Sequence, residues 1–315
     1  MKRIAHLILA AGVFLSACGS IQELTPLPAT QTSAPATEAA QSTKVVEPSI
    51  TPSPAEPTSI PVQTNGPVSV SAATLIINSQ SLTKFASLSD EEIASAAALR
   101  LMYRHASVGE NISLGLDCLW GNYPGRRPNS CSDAYDPRLD RSQWDFQFRG
   151  NPSWIEKVDD FVQQTEAQID QYQVFMFSED YVDGIDNPNF PAISDAENFQ
   201  KQFVEPLEKL EAAHPDKIFV LWSMSLARLG YANTTRFNEM IRAYAEENGK
   251  ILFDIADIES HDPQGNLITD ENGNPIIHQG YTNEAKAGHL NEAGRERLAR
   301  AFWVLMSAVA AERVP

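Results

Sequence analysis

Four apolar runs of strand length, at residues 99–103, 172–178, 217–223 and 250–255, alternate with segments of helix length, and this alternation constrains the fold more than any other feature. Parallel neighbours in a sheet cannot be joined by a tight turn and need a long crossover, so the pattern predicts a parallel sheet covered by helices on both faces. Ser89-Asp90-Glu91-Glu92 has the form of a capping box that opens a short helix. Further helices are expected from Asn111, over residues 153–168, from a cap at Ser194-Asp195-Ala196-Glu197 to about Ala213, over 235–247 with a stop at Gly249, and over 291–311. The expected class is α/β, a three-layer flavodoxin-like parallel sheet. Ligands of such sheets bind at the carboxyl ends of the strands. That places the functional search at Ser107, at residues 178–183, at 223–228 and at 254–289.

The first eighteen residues are read as a signal segment. Lys2 and Arg3 precede an apolar stretch over residues 4–14, too short to span a bilayer, and Leu15-Ser16-Ala17-Cys18 has the form of a lipobox. The Cys18 thiol is the expected site of diacylglycerol attachment, and two acyl chains give the stable anchoring that one does not. Residues 19–70 are rich in Pro, Thr, Ser, Ala and Gln and lack aromatics over residues 19–68, so they cannot bury enough apolar area to fold and are expected to be a disordered tether. Residues 71–315 remain for one domain, within the usual size for a single core. The expected location is extracytoplasmic, lipid-anchored to the cell membrane or envelope.

A formal net charge of −17 argues against nucleic acid and against electrostatic attraction to anionic lipid, both of which need a basic face. The lipid on Cys18 is therefore the expected link to a membrane. Of three cysteines, Cys118 and Cys131 are left after lipidation, and an even pair in an oxidising compartment reads as a disulfide. Trp120, Tyr123, Trp144 and Trp154 lie around that loop and are assigned mainly to packing. The aspartates Asp180, Asp183 and Asp186 lack the glycine and distal glutamate of a known calcium loop and are read as a solvated acidic loop. No cofactor and no metal is expected, and the chain is expected to be a monomer.

Two residues carry the chemical signal. Ser107 lies between a strand and a helix, with Gly109 two positions later to allow a tight turn, so its hydroxyl would sit at the sheet edge beside the N–H groups of a helix start. The same position suits an ordinary helix N-cap. His289, in Gly288-His289-Leu290-Asn291-Glu292-Ala293-Gly294, precedes the last helix and can take a proton from a serine that follows the first strand. In this order of elements the region from about Leu99 onward resembles the SGNH, or GDSL-like, hydrolases, in a subgroup whose first block reads His-x-Ser-Val-Gly; the segment from Phe253 to Ser260 contributes to the likeness. The resemblance implies an SGNH-type three-layer fold and ester hydrolysis through an acyl-serine, with Ser107 as nucleophile and His289 as base. It departs from the family where His105-Ala106 replaces Gly-Asp, where clear oxyanion glycine and asparagine blocks are missing, and where Lys286 stands in place of the acid. Glu284, Asp257 and Asp254 are the candidates for that acid, and Gly109 and Asn111 for the oxyanion or substrate side. The expected substrate is a small ester or an acylated extracellular glycan. The competing reading is a non-catalytic glycan- or ligand-binding surface lipoprotein on the same fold.

Overall fold

The computed structural model describes residues 74–131 and 135–312, so the signal segment, Cys18 and the whole tether lie outside the described residues. Six strands, β1 (Leu75–Ile77), β2 (Leu101–His105), β3 (Trp144–Phe148), β4 (Val174–Phe177), β5 (Ile218–Trp222) and β6 (Ile251–Phe253), form one sheet in the order β1-β6-β5-β4-β2-β3. Every pairing is parallel. Without the added edge strand β1, the order β3-β2-β4-β5-β6 is the flavodoxin-like 2-1-3-4-5, whose strand order reverses between β2 and β4.

Alternate residues of each central strand feed two separate cores. Leu101, Tyr103, Val174, Met176, Val220, Trp222 and Phe253 face one side, where they meet Ile112 and Leu116 of α2 (Val108–Leu119) and Phe302 and Trp303 of the long C-terminal helix. Met102, Phe175, Phe177, Leu221 and Leu252 face the other, against α3 (Trp154–Gln168) and the helices that follow it. A strand buried on both faces reads as a continuous apolar run, which is why these segments stand out in the sequence.

The remaining helices in chain order are α1 (Asp90–Ala97), α4 (Ala196–Asn198), α5 (Glu205–Ala213), α6 (Ala232–Glu247), α7 (Ile255–Ser260) and α8 (Glu292–Glu312). The Ser89–Glu92 capping box is present, and Ser153 caps α3 in the same reciprocal way with Glu156. The helix expected from Ser194 is different. Asp195 is its N-cap, while Ser194 donates to the Asn233 side chain at 2.7 Å. A π-helical segment, Phe199–Val204, separates α4 from α5, next to Pro206, which cannot donate the i→i−4 bond of a regular helix. No helix among the described residues is long and apolar enough to cross a membrane.

Two strands lie outside the four apolar runs. β3 reads Trp-Asp-Phe-Gln-Phe, an edge strand whose polar residues interrupt the apolar run, and β1 is only three residues long. β2 begins two residues later than its apolar run suggests, which brings His105 into the sheet and leaves Ala106 as the step to Ser107.

Candidate active site

Ser107 ends the β2–α2 connection at φ 44° and ψ −101°, and it is the one non-glycine residue with positive φ among the described residues. An L-residue held there is strained by roughly 1–3 kcal/mol, and such strain persists only where the surroundings over-determine it. Ser107 occupies the N-cap position of α2, but its side chain makes no capping bond. The hydroxyl instead lies 2.8 Å from His289 Nε2.

The turn is fixed from below. Gly109 donates its N–H to Ala106 O at 2.8 Å, and a Cβ built on Gly109 would lie 2.4 Å from the His105 Cβ, so only glycine fits. Burial pushes the His105 imidazole down to about 4, against a hydrogen bond to the Phe146 backbone that acts the other way, so at neutral pH it is an uncharged packing group. Gly109 thus shapes the turn, with its own N–H already spent. Glu110 and Asn111 likewise donate their N–H groups to Ser107 O. The donors ahead of these, the N–H groups of Ser107 and Val108, are the ones placed at the turn.

His289 is held by a loop that closes on itself. Thr282 and Leu290 form an isolated antiparallel bridge, and the Thr282 hydroxyl donates to His289 O at 2.6 Å while accepting from Glu284 N at 3.1 Å. The bridge folds Glu284 back onto the histidine. Glu284 Oε1 lies 2.9 Å from His289 Nδ1, and its other oxygen accepts the His289 backbone N–H at 2.8 Å. Partial burial raises the Glu284 carboxyl, but the hydrogen bonds from the His289 ring and backbone outweigh it, and the group is held below the usual glutamate value. Glu284 is therefore ionised where it meets the ring. Lys286 is exposed, and its backbone carbonyl pairs with Leu229 N.

The other two candidate acids lie elsewhere. Asp254 accepts from Arg242 Nε at 2.6 Å and from Ser223 at 2.8 Å, and Asp257 accepts from Ser79 N at 2.8 Å and sits 3.4 Å from His261 Nδ1. Asp254 is the N-cap of α7 and Asp257 lies in its first turn, and their partners are not on the 282–290 loop. Asn111 is placed at the site in a different way from the one expected. Its Oδ1 accepts Leu290 N at 2.7 Å, tying the histidine loop to α2.

Several residues at this site carry no local sequence signal. Tyr181 lies edge-on to the His289 ring with centroids 6.0 Å apart, and its hydroxyl is bonded to the Gly288 backbone. Gly288 itself passes so close to Leu226 O that a Cβ would lie 2.0 Å from it. Arg149, buried at the end of β3, donates its N–H to His105 O at 2.9 Å, Nη1 to Gly150 O at 2.8 Å and Nη2 to Ser178 O, so it joins three adjacent strand ends.

Of Asp180, Asp183 and Asp186, expected to form a solvated acidic loop, only Asp186 is exposed; Asp183 is partly buried and Asp180 fully so. Glu179 and Asp180 are buried, and Lys157 of α3 contacts Asp183, Asp180 at 3.4 Å and Glu179 at 3.7 Å. Burial, with the charge of Asp183 added, pushes the Glu179 carboxyl well up. Lys157, whose side chain is itself fully buried on α3, is the cation that this cluster encloses. Among the described residues no group of three His, Cys, Asp or Glu side chains is arranged to hold a metal ion. Cys118 and Cys131 form a disulfide. Trp144 packs tilted against Trp303 with centroids 4.4 Å apart and Trp120 packs edge-on to Tyr123, as packing residues do.

The histidine, its acid and the serine hydroxyl thus form a continuous hydrogen-bonded line beside the β2/β4 switch point. No family model matches the chain, and no curated protein matches it. Among solved structures it is similar to one described as a "putative lipolytic protein of G-D-S-L family" from Desulfitobacterium hafniense, at 16% identity and a TM-score of 0.38, over 65% of this chain and 99% of that chain.

Proposed function

We propose that this chain is a serine ester hydrolase tethered by lipid at Cys18. The observation that carries the reading is the line Ser107 Oγ, His289 Nε2, His289 Nδ1, Glu284 Oε1, with contacts of 2.8 and 2.9 Å and a serine held in a strained turn. In the first half of the reaction Ser107 Oγ bonds to the ester carbonyl carbon as its proton passes to His289 Nε2. The carbonyl oxygen becomes an oxyanion, for which the Ser107 and Val108 N–H groups at the start of α2 are the candidate backbone donors. When the tetrahedral adduct collapses, the C–O bond to the alcohol breaks and His289 returns its proton to the departing oxygen. In the second half water gives a proton to His289, attacks the acyl-serine, and releases the carboxylic acid with Ser107 regenerated. Glu284 holds the ring in one orientation and offsets the positive charge it gains.

The alternative is a non-catalytic binding module, in which Lys286 marks a site that has lost hydrolysis. Glu284, brought to the ring by the Thr282–Leu290 bridge, supports the hydrolase reading over it.

The test is hydrolysis of 4-nitrophenyl acetate, with labelling by a fluorophosphonate. Turnover by wild type, loss of turnover in Ser107→Ala with an unchanged melting curve, and a single adduct mapped to Ser107 are the expected results. Hydrolysis that survives in Ser107→Ala overturns the nucleophile. For the tether, Cys18→Ala is expected to abolish metabolic incorporation of fatty acid, and incorporation that persists in the variant overturns that assignment.

A further inference from the structure

The buried face of α3 is made of Trp154, Val158, Phe161, Thr165 and one charged residue, Lys157, whose side chain is wholly buried. An ammonium in that place must recover from protein partners what it loses from water, and an apolar side chain of similar volume is often as stable. Stability alone therefore does not account for the lysine. What it specifies is the shape of one turn.

That turn follows β4. Lys157 Nζ contacts the carboxylates of Asp183, of Asp180 at 3.4 Å and of Glu179 at 3.7 Å. Asp183 also accepts the Asp180 N–H on its side chain at 2.9 Å and donates its own N–H to Asp180 O at 2.8 Å. The two ends of the 3₁₀ turn Tyr181–Gly184 are thus tied to each other and to the lysine. Arg149, equally buried, sets a second cation 3.8 Å from Asp180. Tyr181, the first residue of the turn, is fixed in its turn: its N–H donates to Ser225 Oγ at 3.2 Å, its hydroxyl is bonded to the Gly288 backbone, and its side chain is buried.

The ring of Tyr181 bears on His289, and His289 needs the support. Its side chain is 45% exposed, so burial does not hold it. Its bonds are to Ser107 at 2.8 Å through Nε2 and to Glu284 at 2.9 Å through Nδ1. Bonds through the two nitrogens leave the plane of the ring free to tilt about the line that joins them. Tyr181, edge-on at 81° with centroids 6.0 Å apart, is a contact off that line. Its bond to Gly288 also fixes the backbone one residue before the histidine. A tilt of the ring would turn Nε2 away from Ser107 Oγ, and a small misplacement of a reacting group is costly in rate.

We propose that Lys157 is a positioning residue of the hydrolase: it locks the turn between Asp180 and Asp183, and through Tyr181 it sets the tilt of the His289 ring. The inference rests on the hydrolase reading above. It adds to that reading a residue that touches neither the substrate nor the reacting atoms.

The experiment compares Lys157→Met, Tyr181→Leu and the double variant in the full-length chain, with competent sites counted by fluorophosphonate titration so that unfolded protein does not enter the rate. Lys157→Met is expected to lower kcat for 4-nitrophenyl acetate by about tenfold or more, with KM changed by less than about twofold, and Tyr181→Leu to do the same. The double variant is expected to be no slower than Tyr181→Leu, because the lysine acts only through the tyrosine. A kcat per competent site that Lys157→Met leaves unchanged would make the lysine merely structural and overturn the inference. Losses that multiply in the double variant overturn it as well. If Lys157→Met does not fold, Asp183→Asn, alone and with Tyr181→Leu, takes its place in the same comparison. If wild type turns over no ester, the hydrolase reading fails by itself, and the clasp is judged by the Hε1 resonance of His289, identified by its loss in His289→Gln. A resonance that Lys157→Met moves toward its position in Tyr181→Leu supports the clasp, and one that stays in place overturns it.

Discussion

At Ser107 the backbone and the side chain make separate demands. The left-handed φ costs energy that a capping bond does not offset, since none is made, and the hydroxyl is turned toward His289. The three carboxylates considered for the histidine differ sharply in what they touch, and that difference predicts how their variants behave. Glu284→Gln is expected to slow ester hydrolysis by about 10²–10⁴-fold, because an amide cannot offset the charge of an imidazolium. Asp257→Asn is expected to change the rate by less than about twofold, within the range of ordinary surface substitutions. Asp254→Asn removes the buried charge partner of the half-buried Arg242, so its effect is on stability, a loss of about 1–3 kcal/mol. Steady-state rates and urea unfolding of the three variants check this together. Equal slowing by Asp257→Asn and Glu284→Gln would separate the catalytic role from the 2.9 Å contact.

Among the elements, the β2–α2 connection and the 282–290 loop carry the site, and each is held by a close approach that only a small residue allows. Gly109→Ala would set a Cβ 2.4 Å from the His105 Cβ, and because that atom is fixed directly to the β2 backbone the helix start must shift. A loss of roughly 1–3 kcal/mol is expected, with slower turnover because Ser107 moves with α2. Thermal melting alongside hydrolysis of 4-nitrophenyl acetate measures both; an unchanged rate would mean that the turn tolerates displacement. The disulfide acts on a different part of α2. It joins Cys118, near the end of the helix, to Cys131 across a sequence separation of 13. Replacing both cysteines by serine is expected to cost up to about 3 kcal/mol by releasing a short loop in the unfolded chain. Because the bridge lies at the far end of α2 from Ser107, activity of the folded fraction should persist. A urea midpoint that does not move would show that the loop adds nothing.

For the molecule as a whole, burial of acidic groups shapes the response to pH. Glu259 is buried on α7, where burial drives its carboxyl well up against a hydrogen bond from Leu226 N at 2.6 Å, with the charge of Asp180 adding to the rise. The folded state therefore holds a proton that the unfolded chain releases near the ordinary glutamate value. Stability from this group is complete below that value and is lost as pH rises toward the folded value, so the group costs stability at neutral pH. Glu259→Gln cannot ionise and is expected to melt higher than wild type at about pH 8, with the gap closing toward about pH 4. A gap that is constant over that range would mean that Glu259 does not titrate on unfolding. Glu179, raised by the same cause at the end of β4, is expected to add to the decline.

The sequence by itself determined the sheet and the candidate site in outline. The central strands are buried on both faces and so are written as uninterrupted apolar runs, and a capping box is a local agreement between residues three apart. That is why β4, β5, β6 and the start of α1 are legible, and why Ser107 and His289 stand out as residues that follow a strand and precede a helix. The edge strand β3 is half polar and β1 is too short to carry a period, so neither leaves a clear mark. Tertiary structure alone decided which acid meets His289. Sequence spacing could not distinguish Glu284 from Asp254 and Asp257, because the choice depends on a bridge between Thr282 and Leu290 and on what lies beside α7. It also decided the fate of residues 179–183. A cluster of acids is solvated by default, and only the packing of α3 over the β4 end, which puts Lys157 among them, turns that cluster inward.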